Sequence, residues 1–143
     1  MMRFMMMVKH AENQGAPPKE LVDAIAGLDE QARKEGRMVA NGGLAPLAAS
    51  TRVRVSQGKL STLDGPFAET REVVGGFAIL ECTSKQEAVE GAQYFMELHR
   101  KYWPGWEGET EIRRCSGQRT SRFWTGGAEG RPARLPRDNR RQR

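Results

Sequence analysis

Cysteine and histidine are scarce in this chain, with two of each. Cys82 and Cys115 are too few and too far apart for a metal cluster or for the disulfide framework of a small secreted domain. They read as buried thiols near strand ends, and neither a metal nor a cofactor is expected. Long apolar runs are missing too. The amino-terminal "MMRFMMMVKH" is apolar for only about eight residues, carries Arg3 and has no small-residue cleavage site. It reads as a strand, so the expectation is a cytoplasmic protein without membrane contact. The glycine pairs 42–43 and 75–76 lack phosphate-loop spacing and lead into no helix start, which excludes nucleotide binding on them.

The body of the chain also lacks a charge excess. The net charge is +5, but residues 116–143 hold eight Arg against Glu129 and Asp138, a net +6, which leaves −1 for residues 1–115. Nucleic acid is therefore not expected as a partner of the folded part. The segment 116–143 is rich in Arg, Gly and Pro and poor in aliphatic residues, so it is expected to be disordered, unable to offset its chain entropy by burial. It can serve as a loose electrostatic contact or as a solubilising extension. Residues 1–115 fit one domain.

What is present is a regular succession of elements. Residues 2–9 form a short, nearly continuous apolar run, as expected of a central strand. Leu21, Ile25, Leu28 and Ala32 then make one helical stripe after Pro17-Pro18, closed by Gly36. "RMVANGGLAPL" is a second strand whose glycines suggest a bulge or a close backbone approach. "TRVRVS" and "KLSTL" alternate about Gln57-Gly58 as a hairpin. "GGFAILEC", residues 75–82, reads as a central strand. Ser84 with Glu87 is a capping box for a helix running to about Lys101, with Ala88, Ala92, Phe95 and His99 at helical spacing. "TEIRRC", residues 110–115, is a last strand.

The order β-α-β-(hairpin)-β-α-β predicts an α+β fold, a ferredoxin-like βαββαβ sandwich with an inserted hairpin and both helices on one sheet face. Strands that are apolar on both sides then leave one face uncovered, which predicts a homodimer packed sheet against sheet.

The stretch "DGPFAETRE", residues 64–72, stands out: a turn-rich tetrapeptide followed by two carboxylates and then by "GGF". Set in a βαββαβ chain that opens "MRFMMMVK", it resembles the YCII-related family, specifically its DGPF-domain branch. The resemblance covers about residues 2–115, and "ELHRKYWPGWEGE", residues 97–109, looks like a subgroup of that branch. It implies a dimeric α/β barrel and an active site built on an acidic residue, here Asp64, often paired with an earlier His. It also implies action on chlorinated aromatic compounds in a few relatives, and genes near extracytoplasmic-function sigma factors in many. The chain departs from the His–Asp pattern, having only His10 and His99.

The site expected from these residues is a cleft at the dimer face. Asp64 is its acid/base candidate, the other role of Asp64 being that of a turn-former. Phe67 would be an apolar wall and Lys9 a cation opposite Asp64 or snorkelling to solvent. Glu69 and Glu72 would either position a substrate or form a salt-bridged loop. His99 is a weaker catalytic candidate, aimed at the helix–sheet layer near a helix C-terminus whose dipole favours imidazolium, its other role being that of a structural His capping the helix. His10 is able to face a cleft. Trp103 and Trp106 are expected to cap the barrel end rather than to stack a ligand. The expected function is a cofactor-independent small-molecule enzyme or binder. Its alternative is a non-catalytic ligand-sensing protein with a transcription-factor partner.

Overall fold

A computed structural model describes residues 1–67, 70 and 72–116 of the chain. The expected segment 116–143 therefore lies, but for its first residue, outside the described residues. Six strands and two helices follow one another as β1 (Met2–His10), α1 (Lys19–Lys34), β2 (Met38–Gly43), β3 (Thr51–Ser56), β4 (Lys59–Asp64), β5 (Val73–Cys82), α2 (Lys85–Tyr102) and β6 (Gly108–Arg114). A 3-10 turn, Leu47–Ala49, lies between β2 and β3.

The main sheet has the order β2-β5-β1-β6 and its neighbours are antiparallel. Without the β3–β4 hairpin this is the ferredoxin-like βαββαβ arrangement that the element order predicts. Phe4 and Met6 of β1 pack with Cys82, Ala88 and Ala92 in the buried core. Since strand side chains alternate, the even positions of β1 face the helices and Arg3, Met5, Met7 and Lys9 face the other way. The register places Glu81, Ile79 and Phe77 beside them on that outer face. Met5, Met7, Phe77 and Ile79 are half-buried there, between the ion pairs Arg3–Glu81 (3.0 Å) and Lys9–Glu111 (2.6 Å).

The helix ends follow their sequence signals. Gly36 adopts φ +70°, with its N–H donating to the Arg33 carbonyl and the Arg37 N–H donating to the Ala32 carbonyl. Those two bonds are a Schellman cap, and the positive φ explains the glycine. At α2, the Ser84 hydroxyl accepts the Glu87 N–H at 3.1 Å. The Glu87 carboxylate reaches back to the N–H of Thr83 at 2.6 Å, one residue beyond the usual capping-box partner.

Three boundaries differ from the sequence reading. β2 stops at Gly43 because the chain turns into the 3-10 segment, and its register shift lies between Met38 and Ala40 rather than at the glycines. Gly42 is instead a close approach, a Cβ there lying 3.3 Å from the Phe77 ring. β5 starts two residues earlier than expected, at Val73, and β6 likewise at Gly108, where Lys9 and His10 of β1 extend the pairing.

The β3–β4 hairpin stands apart as a two-stranded sheet, turned by Gln57 (φ +50°) and Gly58 (φ +74°). Positive φ at both central residues is the hairpin-favouring turn.

Candidate functional site

Between the helix-facing side of the sheet and α1 lies a cavity of about 980 Å³. That is at the upper end of the size range of small-molecule sites. Leu21, Ile25 and Leu28 of α1 and Met6 and Val8 of β1 supply apolar walls, and the loop 44–47 borders it. The same stripe that folds α1 against the sheet thus lines the hollow.

Aromatic and imidazole rings gather at the end formed by α2 and the loop after it. His99 is 6% exposed, with ring centroids 4.7 Å from Phe95 and 4.6 Å from Trp106. Trp106 also lies 6.2 Å from His10 and 6.0 Å from Trp103. All of these rings line the cavity. Trp103 and Trp106 therefore form a wall of the hollow.

Backbone carbonyls fix both imidazoles. His10 Nδ1 donates to the Ala11 carbonyl at 2.7 Å, and His99 Nδ1 donates to the Phe95 carbonyl at 2.9 Å. A carbonyl only accepts, so Nδ1 carries the proton and, in a neutral ring, Nε2 is the acceptor. Burial pushes the His99 pKa below its ordinary value, outweighing the opposing effect of the Phe95 carbonyl. His99 is thus the neutral imidazole at pH 7, and burial overrides the helix dipole that the sequence suggested would charge it.

Two glycines make room for this cluster. A Cβ on Gly75 would overlap His10 Nε2, and one on Gly108 would overlap the Trp106 ring. Gln14 joins the loops behind them, its Nε2 donating to the Glu107 carbonyl at 2.7 Å and its Oε1 accepting the Glu107 N–H at 2.8 Å.

The α1–β2 side of the cavity carries a polar set. Asn41 Nδ2 donates to Asp29 and Asn41 Oδ1 accepts from Arg33. Asp29 and Asn41 both line the hollow, and burial holds the Asp29 carboxyl above its ordinary pKa. Glu12 straps the border loop by accepting the Leu47 N–H at 2.9 Å.

The DGPF segment lies elsewhere. Asp64 ends β4, exposed, its Oδ1 accepting the Thr51 hydroxyl at 2.7 Å from the facing strand. Gly65 donates its N–H to the Ser50 carbonyl at 2.7 Å and packs so tightly on Leu47 that a Cβ would overlap its carbonyl. Phe67 is 5% exposed, with the Arg52 guanidinium 3.6 Å from its ring centroid, and Arg52 also donates to the Thr70 hydroxyl at 2.8 Å. Neither Asp64 nor Phe67 lines the cavity. Lys9 pairs with Glu111 at 2.6 Å and Glu72 at 3.8 Å, not with Asp64. The reason is register: Glu111 lies diagonally across on β6, on the same sheet face. Glu72 thus joins Lys9, while Glu69 falls outside the described residues.

The structure therefore brings together His10, His99, Trp103 and Trp106, and separates them from Asp64, Phe67 and Lys9. Sequence reasoning missed Asp29 and Asn41. Their signal was weak but present, since Asp29 sits four residues after Ile25 and three before Ala32, on the edge of the apolar stripe. Among the described residues no three His, Cys, Asp or Glu side chains converge as metal ligands, and no helix is long and apolar enough to cross a membrane.

A sequence profile for the YCII-related domain matches residues 2–95. The chain belongs to the YCII-related family. The match runs from β1 into α2, so it includes His10, Asp29, Asn41 and Asp64 and stops before His99 and Trp106. Over 50 residues, 35% of this chain, the sequence is 42% identical to "Uncharacterized protein R00369" of Rhizobium meliloti (strain 1021). That aligned stretch spans 40% of the relative's length.

Proposed function

We propose that this YCII-related chain is a small-molecule enzyme that moves protons without a cofactor, working in the helix–sheet cavity. The observation that carries the reading is the pair of imidazoles, each with Nδ1 committed to a backbone carbonyl, at one end of an apolar hollow. In the neutral ring, Nε2 is then the atom that takes a proton from a substrate. Asp29 on the other wall is a second proton-handling group, held by Asn41. The walls suit an apolar, ring-bearing compound. Asp64, exposed and bonded to Thr51, fits the turn-forming role better.

The DGPFAETRE segment supports membership of the DGPF-domain branch. The outer sheet face, apolar at Met5, Met7, Phe77 and Ile79 and flanked by ion pairs, supports a homodimer closed sheet to sheet into an α/β barrel. A ligand-sensing protein working with an extracytoplasmic-function sigma factor would use the same cavity without turnover.

Histidine-ring NMR in deuterated water, with a panel of small aromatic acids, phenols and ketones, separates these readings. Ligands should shift the His10 and His99 resonances, and the enzyme should exchange a ligand C–H for deuterium, with exchange lost in His10→Gln while binding persists. Binding without exchange leaves the sensing reading, and unshifted resonances across the panel refute the site.

A further inference from the structure

The β3–β4 ribbon and the DGPF segment are left unused by the cavity chemistry. On one face of the ribbon, cross-strand neighbours bring Val53, Val55 and Leu60 together, at 71%, 70% and 76% exposure. A two-stranded ribbon is at best marginally stable alone in water, and among the described residues this one pairs with no third strand. Its root, by contrast, is firmly seated. Thr51–Asp64, Gly65 on Ser50 and Leu47, and Phe67 beneath Arg52 together clamp the point where the ribbon leaves the body. A fixed shoulder carrying an exposed apolar face is the geometry of an arm that meets another molecule.

The chain also presents a surface that such an arm fits. The cavity is bordered by Val22, Leu44 and Val74, exposed at 48%, 51% and 38%. Beside that rim, α1 carries Lys19, Arg33 and Lys34 against Glu20, Asp23, Asp29 and Glu30, a net −1. The ribbon carries Arg52, Arg54 and Lys59 against Asp64, a net +2. The arginine-rich residues 116–143 share the ribbon's sign and are repelled by it, whereas α1 attracts it.

We propose that in a homodimer the β3–β4 ribbon of each copy lies across the cavity rim of the other, so that each site is closed by its partner. Val53, Val55 and Leu60 would cover Val22, Leu44 and Val74, with Arg54 and Lys59 reaching the acidic side of α1. The exchange is reciprocal, as a two-fold dimer requires. The DGPF segment then acts as the shoulder that aims the arm. The closure of the site rests on the cavity reading, but the arm contact does not.

Two single-cysteine variants, Val22→Cys and Leu60→Cys, each in a Cys115→Ser background, are mixed and treated with a short bismaleimide. A covalent mixed dimer should appear, at far higher yield than from either variant alone. Amide exchange should show ribbon protection that is lost on dilution to monomer. Absence of the mixed dimer while sedimentation still reports a dimer overturns the arm and leaves the sheet-to-sheet reading standing. Ribbon protection independent of concentration assigns the cover to the same chain, residues 117–143 included, and equally overturns the exchange.

Discussion

Replacing Gly75 with alanine tests whether the space for the His10 ring was made by the absence of one methyl group. Gly75 has no positive φ, so the backbone tolerates alanine and the cost must be steric. The new Cβ would fall on His10 Nε2, and the ring must leave or the strand must shift. Overpacking of this kind costs about 1–3 kcal/mol. With about 2.1 cal/mol/K of unfolding entropy per residue over a body of roughly 115 residues, each kcal/mol lowers Tm by about 4 °C, so the fall is about 4–12 °C. The decisive assay is a double-mutant cycle with His10→Ala, read by thermal unfolding. Once the ring is gone, Gly75→Ala should be neutral or stabilising by a few tenths of a kcal/mol, because alanine restricts the unfolded chain. The coupling between the two sites should then equal most of the single-variant cost. An equal cost in both backgrounds would show that the methyl meets something other than His10, and the seating argument would fail.

Stability should also depend on the His99 proton. The ring titrates at its ordinary 6.5 in the unfolded chain and lower in the fold, so the unfolded state binds more protons below 6.5. Its contribution is full above pH 6.5 and falls as pH drops toward the lowered folded value, with a slope of at most about 1.4 kcal/mol per pH unit. Chemical denaturation between pH 5 and 8 should show that slope, and His99→Leu should remove it. Asp64→Asn keeps an oxygen for the Thr51 hydroxyl at an exposed position, so stability should fall by no more than about 1 kcal/mol. Activity in the cavity should persist, and loss of turnover with an intact fold would move the chemistry to Asp64.

The fold was legible because its signals are local. The stripe Leu21-Ile25-Leu28-Ala32, the Gly36 stop, the Ser84–Glu87 box and the Gln57-Gly58 turn each act within a few residues of themselves. The site was less legible because it is made by register. His10 and Trp106 are far apart in sequence, and they meet because β1 pairs with β6 so that His10 faces Gly108. The most conspicuous motif also finds its partners through strand pairing rather than along the sequence. Asp64, Gly65 and Phe67 form a cluster of chemistry-bearing residues in sequence, yet their partners Thr51, Ser50 and Arg52 show them clamping a hairpin root. Gly75 and Gly108 are sequence signals of another kind, since they mark where the rings of the cavity must fit.

The cavity and the core share one sheet face, and the division between them follows from side-chain size. At the Phe4–Cys82 end, small residues on α2, Ala88 and Ala92, let the helix come down on the sheet, and the core closes with Phe4 3% and Cys82 1% exposed. Toward the other end of α2 the positions are Phe95 and His99, whose rings lie tilted against each other, with His99 also against Trp106, and keep helix and loop apart. A ring cluster held by carbonyls and glycines resists collapse, because either imidazole that moved inward would give up its hydrogen bond to a backbone carbonyl. The hollow is therefore a consequence of the same helix that seals the core, with alanines at one end and rings at the other. Filling it from within, by Ile25→Phe on α1, should cost little stability and abolish ligand-induced shifts of the His10 and His99 resonances. Undiminished shifts would place the ligand outside the helix–sheet hollow.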